Sequence, residues 1–277
     1  MESAILNNGT KMPYIGLGVF RLSDSKAAYD TVRLALENGY RHIDTARVYD
    51  NEDTVGQAII DSGVPREEIF LTTKLWNDDV RANRVQDAFE ESLKRLKTDY
   101  VDLYLVHWPV KGLYVSVWKE MEKIYATGKA KAIGVSNYLE HHLDELLAEA
   151  TIIPAVDQIE LHPYLNQKDL VQYLQNKQIV PEAWSPFCAR KNNLLDEPVL
   201  KGIAQKYSKT TAQIVLRWDI QRGIVAIPKS SNNERQKENL AVFDFVLTDE
   251  EMTLIQTLNK DQRVGSQIKS IFKGIKP

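Results

Sequence analysis

Short apolar runs alternate with longer amphipathic ones along almost the whole chain, and that alternation predicts the architecture. The short runs 15–18, 41–44, 69–74, 101–107, 130–135, 155–160, 179–184 and 224–228 read as eight strands. Between them, apolar positions follow helical spacing: Val85, Ala88, Phe89, Ser92, Leu93 and Leu96 fall on one face at i, i+3, i+4 and i+7. Strand then helix, repeated, implies right-handed parallel crossovers. Eight such units favour an α/β fold of the (β/α)8 TIM-barrel type, with an open doubly wound sheet as the competing architecture. Asn8-Gly9 lies between short apolar stretches near the N-terminus and predicts a two-residue β-hairpin outside the main sheet. Two extra helices, 198–207 and 249–258, exceed eight alternating units and are expected to pack outside the barrel. Thr248 followed by Glu251 has the spacing of a capping box for the second.

Composition narrows the picture further. A chain of 277 residues without a Pro/Gly/Ser linker fits a single domain over 1–277. With 43% hydrophobic and 26% charged residues it reads as globular, with ample core. A net charge of −3 supplies no electrostatic footprint for nucleic acid or an anionic membrane. The single cysteine, Cys188, permits no intrachain disulfide, and no secretion signal or 18-residue apolar span is evident. The expectation is a cytoplasmic, monomeric protein without nucleic-acid or membrane partners.

Candidate chemistry sits where apolar runs end. Asp44 closes one, Tyr49 follows five residues later, Lys74 closes the next and His107 the one after. In a barrel of parallel strands these ends share one mouth. A carbonyl receiving hydride develops negative charge on oxygen, so it needs a proton donor and positioned hydrogen bonds there. Tyr49 is the candidate donor. Lowering a phenol from about 10 to near neutrality requires roughly 4 kcal/mol of preference for tyrosinate. One charge at about 4 Å in a dielectric of about 20 supplies that order of energy, and Lys74 is the candidate. Asp44 would hold that ammonium and His107 would orient the substrate oxygen.

Each of these residues taken singly has an ordinary explanation: a capping Asp, a wall Tyr, a solvated Lys. Their joint placement makes the case. His42 inside a strand and His162 before a proline read as structural, His141 and His142 as solvated at a helix start, and no spacing suggests a metal site. Gly16-Leu17-Gly18 begins like a dinucleotide fingerprint, but Arg21 occupies the third glycine position, so the Rossmann pattern fails. Phosphate is better placed on the loop 227–235 and its following helix start, with Lys229 and Arg235 adding positive charge. Trp184 ends the seventh strand, where an indole face can stack on a planar ring.

Three ordered motifs then carry a resemblance. The run 39–46 with Glu52, Val55 and Gly56, the run 131–138, and Ile227-Pro228-Lys229-Ser230 with Arg235, Glu238 and Asn239 resemble the signatures of the aldo-keto reductase family, and the likeness runs end to end. The resemblance implies a (β/α)8 barrel, NADPH extended across its mouth, and a catalytic tetrad on Asp44, Tyr49, Lys74 and His107. It places the nicotinamide side of the cofactor near Gly18, Val19, Phe20, Asp44, Ser136, Asn137, Gln158 and Trp184. Ser185, Pro186 and Phe187 would follow its pyrophosphate. Ile227, Lys229, Ser230, Ser231 and Arg235 would meet its 2′-phosphate end, and Glu238 and Asn239 its adenine. Phe20, Tyr49, Trp76, His107 and Trp108 would line the substrate pocket.

This sequence departs from the family pattern at several points. Phe20 stands where many relatives have Trp, Trp184 where Tyr is common, Arg47 where a small residue is frequent, and the loop 187–193 lacks glycines. The short stretch after Leu258 leads us to expect an open pocket. The reading is an NADPH-dependent reductase of aldehydes and ketones acting on a small carbonyl substrate. A Schiff-base aldolase using Lys74 and a dinucleotide-binding regulatory protein are the rivals.

Overall fold

A computed structural model describes residues 2–22, 24–190 and 192–265. Its centre is a sheet of eight parallel strands: β3 (Leu17–Gly18), β4 (His42–Asp44), β5 (Phe70–Leu75), β6 (Leu103–Val106), β7 (Ile133–Ser136), β8 (Val156–Glu160), β9 (Val180–Trp184) and β10 (Val225–Ala226), each beside its sequence neighbour. The two ends of this sheet meet. Ile15 bridges parallel to Ala226, Gly16 N–H donates to Ala226 O at 2.9 Å, and Ala226 N–H donates to Tyr14 O at 2.9 Å. The closed (β/α)8 barrel therefore replaces the open alternative, and the main sheet has no free edge between these residues.

That seam explains the glycines that mimic a dinucleotide fingerprint. A Cβ on Gly16 would lie 2.6 Å from Nδ1 of His42, and one on Gly18 would lie 2.9 Å from the carbonyl oxygen of Ile227. Gly18 serves close backbone approach across the closure, and Gly16 leaves room for the His42 ring on the neighbouring strand. The seam strands are also the shortest, two residues each, against the four or five predicted there.

Around the barrel lie α1 (Ser25–Glu37), α2 (Glu52–Ser62), α3 (Asn77–Arg81), α4 (Val85–Leu96), α5 (Tyr114–Ala126), α6 (Glu140–Leu147), α7 (Lys168–Asn176), α8 (Pro198–Tyr207), α9 (Thr211–Gln221), α10 (Asn233–Leu240) and α11 (Asp249–Gln256). The six apolar-stripe residues of α4 are all buried, as their spacing predicts. The extra helices α8 and α11 pack on each other. Glu251 accepts from Lys206 Nζ at 2.7 Å and Tyr207 Oη at 2.6 Å, while its backbone N–H meets the Thr248 cap. A single extra turn, α3, precedes α4 and was not expected.

The N-terminal strands β1 (Ser3–Ile5) and β2 (Lys11–Pro13) pair antiparallel. Their connection differs from the two-residue turn expected at Asn8-Gly9. Leu6 N–H donates to Thr10 O and Gly9 N–H to Leu6 O, so residues 7–9 form a three-residue loop in which Gly9 alone takes positive φ, at 86°. Asn8 stays out of the left-handed region because its side chain is used elsewhere: Oδ1 accepts from Thr10 N–H and Nδ2 donates to Lys131 O at 2.8 Å. Ala4, Leu6 and Met12 then pack on Phe70, Leu103 and Val225, sealing the end of the barrel opposite its mouth.

Candidate active site

Each candidate side chain leaves the barrel at a strand end. Asp44 is the last residue of β4, Lys74 the penultimate residue of β5, and His107 directly follows β6. Tyr49 ends a 3-10 turn, Arg47–Tyr49, that folds back over the mouth. Lys74 is 0% exposed, and its ammonium is held by Asp44 Oδ1 and Oδ2 at 2.6 and 2.7 Å and by Thr45 O at 2.9 Å. That nitrogen lies 5.2 Å from the centre of the Tyr49 ring. Tyr49 meets His107 edge-on at 5.6 Å between centroids, with Phe20 against its other side at 5.0 Å.

Acid, phenol, amine and imidazole thus converge, but the expected acidification of the phenol does not follow in the free protein. Burial pushes Tyr49 well above the ordinary tyrosine value, and the charges of Asp44 and Glu182 push the same way. The Lys74 field cannot overcome this because its ammonium is spent on Asp44 and Thr45. Tyr49 is therefore a neutral, protonated phenol at physiological pH. His107 is neutral as well: burial, then the Lys74 charge, hold it well below the usual imidazole value. Its Nδ1 is buried without a hydrogen-bond partner.

Beneath these four lies a polar floor. Gln158 on β8 donates from Nε2 to Asp44 Oδ2 and to Glu182 Oε2, both at 2.8 Å. Beyond Glu182, His42 is buried and pushed down to about 3 by desolvation. His42 is structural, as expected; His162, also buried, contacts Glu160 at 3.2 Å. His142 is not solvated: its Nδ1 accepts the Leu139 N–H at 3.0 Å, capping α6, and its ring packs on Tyr114 and Tyr138. Three positions after the N-cap, it takes the capping role that Glu or Gln usually fills.

Above the floor opens a cleft of about 270 Å³. Gly18, Phe20, Asp44, Tyr49, His107, Trp108, Ser136, Asn137, Gln158, Trp184, Ser185, Pro186, Phe187, Ile227 and Lys229 all line it. Trp184 presents its indole there because Nε1–H donates to Asn137 Oδ1 at 2.9 Å. Asn137 is fixed in turn, with φ 65° and Nδ2 donating to His107 O and Ser136 Oγ, both at 3.0 Å. The Ser136 hydroxyl donates to Gln158 O. Asn137 is thus first of all a clamp between β7 and the indole. The donor set suits a nicotinamide: a flat aromatic face, beside a Gln158 amide whose nitrogen is committed to carboxyls and whose oxygen is spared for an N–H donor.

Other predicted positions lie away from the cleft. Val19 is buried in the core, where its N–H bonds Asp44 O. Trp76 stacks edge-on against His107 at 5.3 Å without lining the cleft. Ser230 is turned into its own loop, accepting from Asn232 N–H. Asn232 caps α10 by accepting from Arg235 N–H at 3.0 Å, leaving the Ser231 and Arg235 side chains exposed beside the helix start. Glu238 is half-buried and Asn239 buried on the same helix.

Arg21, Ala189 and Val264 line the cleft without having been predicted. Ala189 belongs to the glycine-poor loop, where Cys188, Ala189, Asn192 and Asn193 all adopt positive φ despite their side chains. Lys191 of that loop lies outside the described residues. Val264 is held over the cleft because Glu160 accepts the N–H groups of Val264 and Gly265 at 2.5 and 2.9 Å. The expectation of an open pocket also bears on residues 266–277, which lie outside the described residues. No group of histidine, cysteine and acidic side chains among the described residues is arranged to hold a metal, and no helix there is long and apolar enough to cross a membrane.

Comparison with known proteins bears on this site. The model of the aldo/keto reductase family matches residues 14–260. Among curated relatives, the glyoxal reductase of Bacillus subtilis is 51% identical over 95% of both chains. The methylglyoxal reductase of Salmonella typhimurium is 45% identical over 94% of both. Among solved structures, an aldo-keto reductase from a Medee basin deep-sea metagenome library superposes with a TM-score of 0.91 at 47% identity, covering 95% of this chain and 97% of its own.

Proposed function

The chain belongs to the aldo/keto reductase family, and from that premise we propose that it is a monomeric, single-domain cytoplasmic enzyme that reduces small aldehydes and ketones with NADPH. Relatives named for glyoxal and methylglyoxal point to 2-oxoaldehydes as the first substrates to try. The observation that carries the reading is the position of Tyr49, a protonated phenol between His107 and the Lys74 ammonium at the base of the cleft.

Bound along the cleft, the reduced nicotinamide supplies the hydride. Gln158 and the clamped face of Trp184 would hold its ring, and Lys229 with Arg235 would grip the 2′-phosphate. The neutral His107 donates a hydrogen bond to the carbonyl oxygen and orients it. Tyr49 gives its proton to that oxygen as negative charge develops there. The tyrosinate left behind has the Lys74 ammonium 5.2 Å from its ring centre, an attraction that the adjoining Asp44 charge partly cancels. High phenol acidity in the resting protein is not required, since the proton must stay on Tyr49 until the oxygen calls for it.

The rivals fare worse. All three donor directions of Lys74 are engaged and the residue is fully buried, so no free amine faces the cleft for a Schiff base. A purely regulatory role leaves the four converging groups without use. The test is turnover: incubation with NADPH and a panel of glyoxal, methylglyoxal, aromatic aldehydes and simple ketones is expected to consume cofactor. Tight NADPH binding with no consumption across the panel would favour the regulatory reading.

A further inference from the structure

The barrel floor holds two buried carboxyls and one ammonium. Of the two carboxyls Lys74 contacts only Asp44, while Glu182, 0% exposed, meets the same Gln158 nitrogen from the other side. The titratable groups facing Glu182 are His42 and Asp44 from β4, Lys74 from β5 and Tyr49 from the turn after β4; β8 presents the neutral Gln158 amide and β10 places Val225 alongside.

The decisive contact is with His42. Its Nδ1 lies 3.4 Å from the carbonyl oxygen of Pro13, which can only accept, so the ring proton sits on Nδ1 and Nε2 is an acceptor, with the Thr72 hydroxyl 3.4 Å away on one side. That Nε2 is 3.6 Å from Glu182 Oε1, and Oε1 is buried with no hydrogen-bond partner. Two acceptors facing each other in a dry interior repel unless a proton lies between them.

We infer that Glu182 is a positioning residue: a neutral carboxylic acid whose proton rests on Oε1 toward His42 Nε2, and which holds Gln158 in place for the nicotinamide amide, so that cofactor binding weakens once that proton is lost at alkaline pH. This rests on the cofactor reading above. Burial, reinforced by the Asp44 charge, pushes Glu182 up to about 8. Above that pH the proton leaves to solvent hydroxide, and two carboxylates then repel across the one Gln158 nitrogen that joins them.

The location of the proton is tested without cofactor. Infrared difference spectra of the full protein, titrated through alkaline pH, are expected to show the C=O stretch of a protonated carboxylic acid vanish with a midpoint near 8, and E182Q to lack that band. Asp157 and Asp219, also buried and pushed well up, contribute bands common to both proteins, so the assignment is overturned if the wild type shows no band beyond those of E182Q at neutral pH, or if the band lost in E182Q persists well above this midpoint. Positioning is tested by NADPH binding, followed through tryptophan fluorescence. With a competent fraction near one-tenth at pH 9, the wild-type Kd is expected to rise about tenfold between pH 7 and 9, whereas E182Q changes less than about twofold over that range. Equal rises in the two proteins overturn the positioning role. Absence of NADPH binding at every pH ends the cofactor reading and the positioning role together, while the infrared band still decides where the proton sits.

Discussion

Lys74 Nζ lies 2.6 and 2.7 Å from the two carboxylate oxygens of Asp44, with the pair 0% and 2% exposed. Two ions so placed have both given up water, and the attraction between them mostly offsets that loss rather than adding stability. What the pair provides is a cation held 5.2 Å from the Tyr49 ring with no freedom to wander.

Removing one partner exposes that balance. Lys74→Met leaves Asp44 buried without its counter-ion and is expected to destabilise the fold by about 3–5 kcal/mol. Combining it with Asp44→Asn should restore most of that loss, while carbonyl reduction stays absent in both. Urea unfolding read beside turnover checks this, and a Lys74→Met protein as stable as the wild type would contradict the buried-pair account.

The floor also shapes stability against pH. His42 is held down to about 3, so the unfolded chain takes up the extra proton, and stability is lost as pH falls from about 6.5 toward 3. Glu182 is held up to about 8, so the folded chain keeps the extra proton, and stability is lost as pH rises from about 4.5 through 8. The two slopes cancel between roughly 4.5 and 6.5. From pH 6.5 to 8 the wild type is expected to lose roughly 2 kcal/mol relative to Glu182→Gln. Denaturant midpoints for the two proteins at both pH values check it, and parallel curves would contradict it.

Much of this was legible in the sequence, for reasons that can be traced to particular residues. Asp44, Lys74 and His107 end apolar runs, and parallel strands bring run ends to one mouth whatever the side chains do next. The stripe on α4 needed only its period. The turn at Gly9 was misjudged because Asn8 spends its side chain on Lys131, a partner 123 residues away. Phenol acidity was misjudged because sequence shows neither how deeply Tyr49 is buried nor that Glu182 stands near it. Val264 was missed because it reaches the cleft through Glu160, 104 residues earlier. Glu182 had a signal that went unread: a carboxylate inside a strand buried on both faces points to the barrel interior and requires a partner there.

At the barrel seam, Gly16→Ala drives a methyl to within 2.6 Å of the His42 ring, which is itself packed between Pro13, Thr72 and Phe70. The ring has nowhere to move, so a loss of about 1–3 kcal/mol is expected. Thermal unfolding measures it; an unchanged midpoint would show that the seam is looser than described.

The proposed preference for NADPH rests on two cations near the start of α10. Lys229→Met with Arg235→Met is expected to weaken NADPH binding by about 2–3 kcal/mol, roughly a hundredfold, and NADH binding by far less, because charge-assisted bonds to the 2′-phosphate vanish. Titration of both cofactors decides it. Comparable affinities for NADPH and NADH in the wild type would contradict the assignment.

The most direct test of the central claim is Tyr49→Phe, which removes one oxygen and leaves the ring between Phe20 and His107. Single-turnover reduction of methylglyoxal by the NADPH-bound protein is expected to fall by at least about 100-fold, with NADPH affinity within about twofold of wild type. A Tyr49→Phe protein that reduces the aldehyde at the wild-type rate would contradict the role given to the phenol.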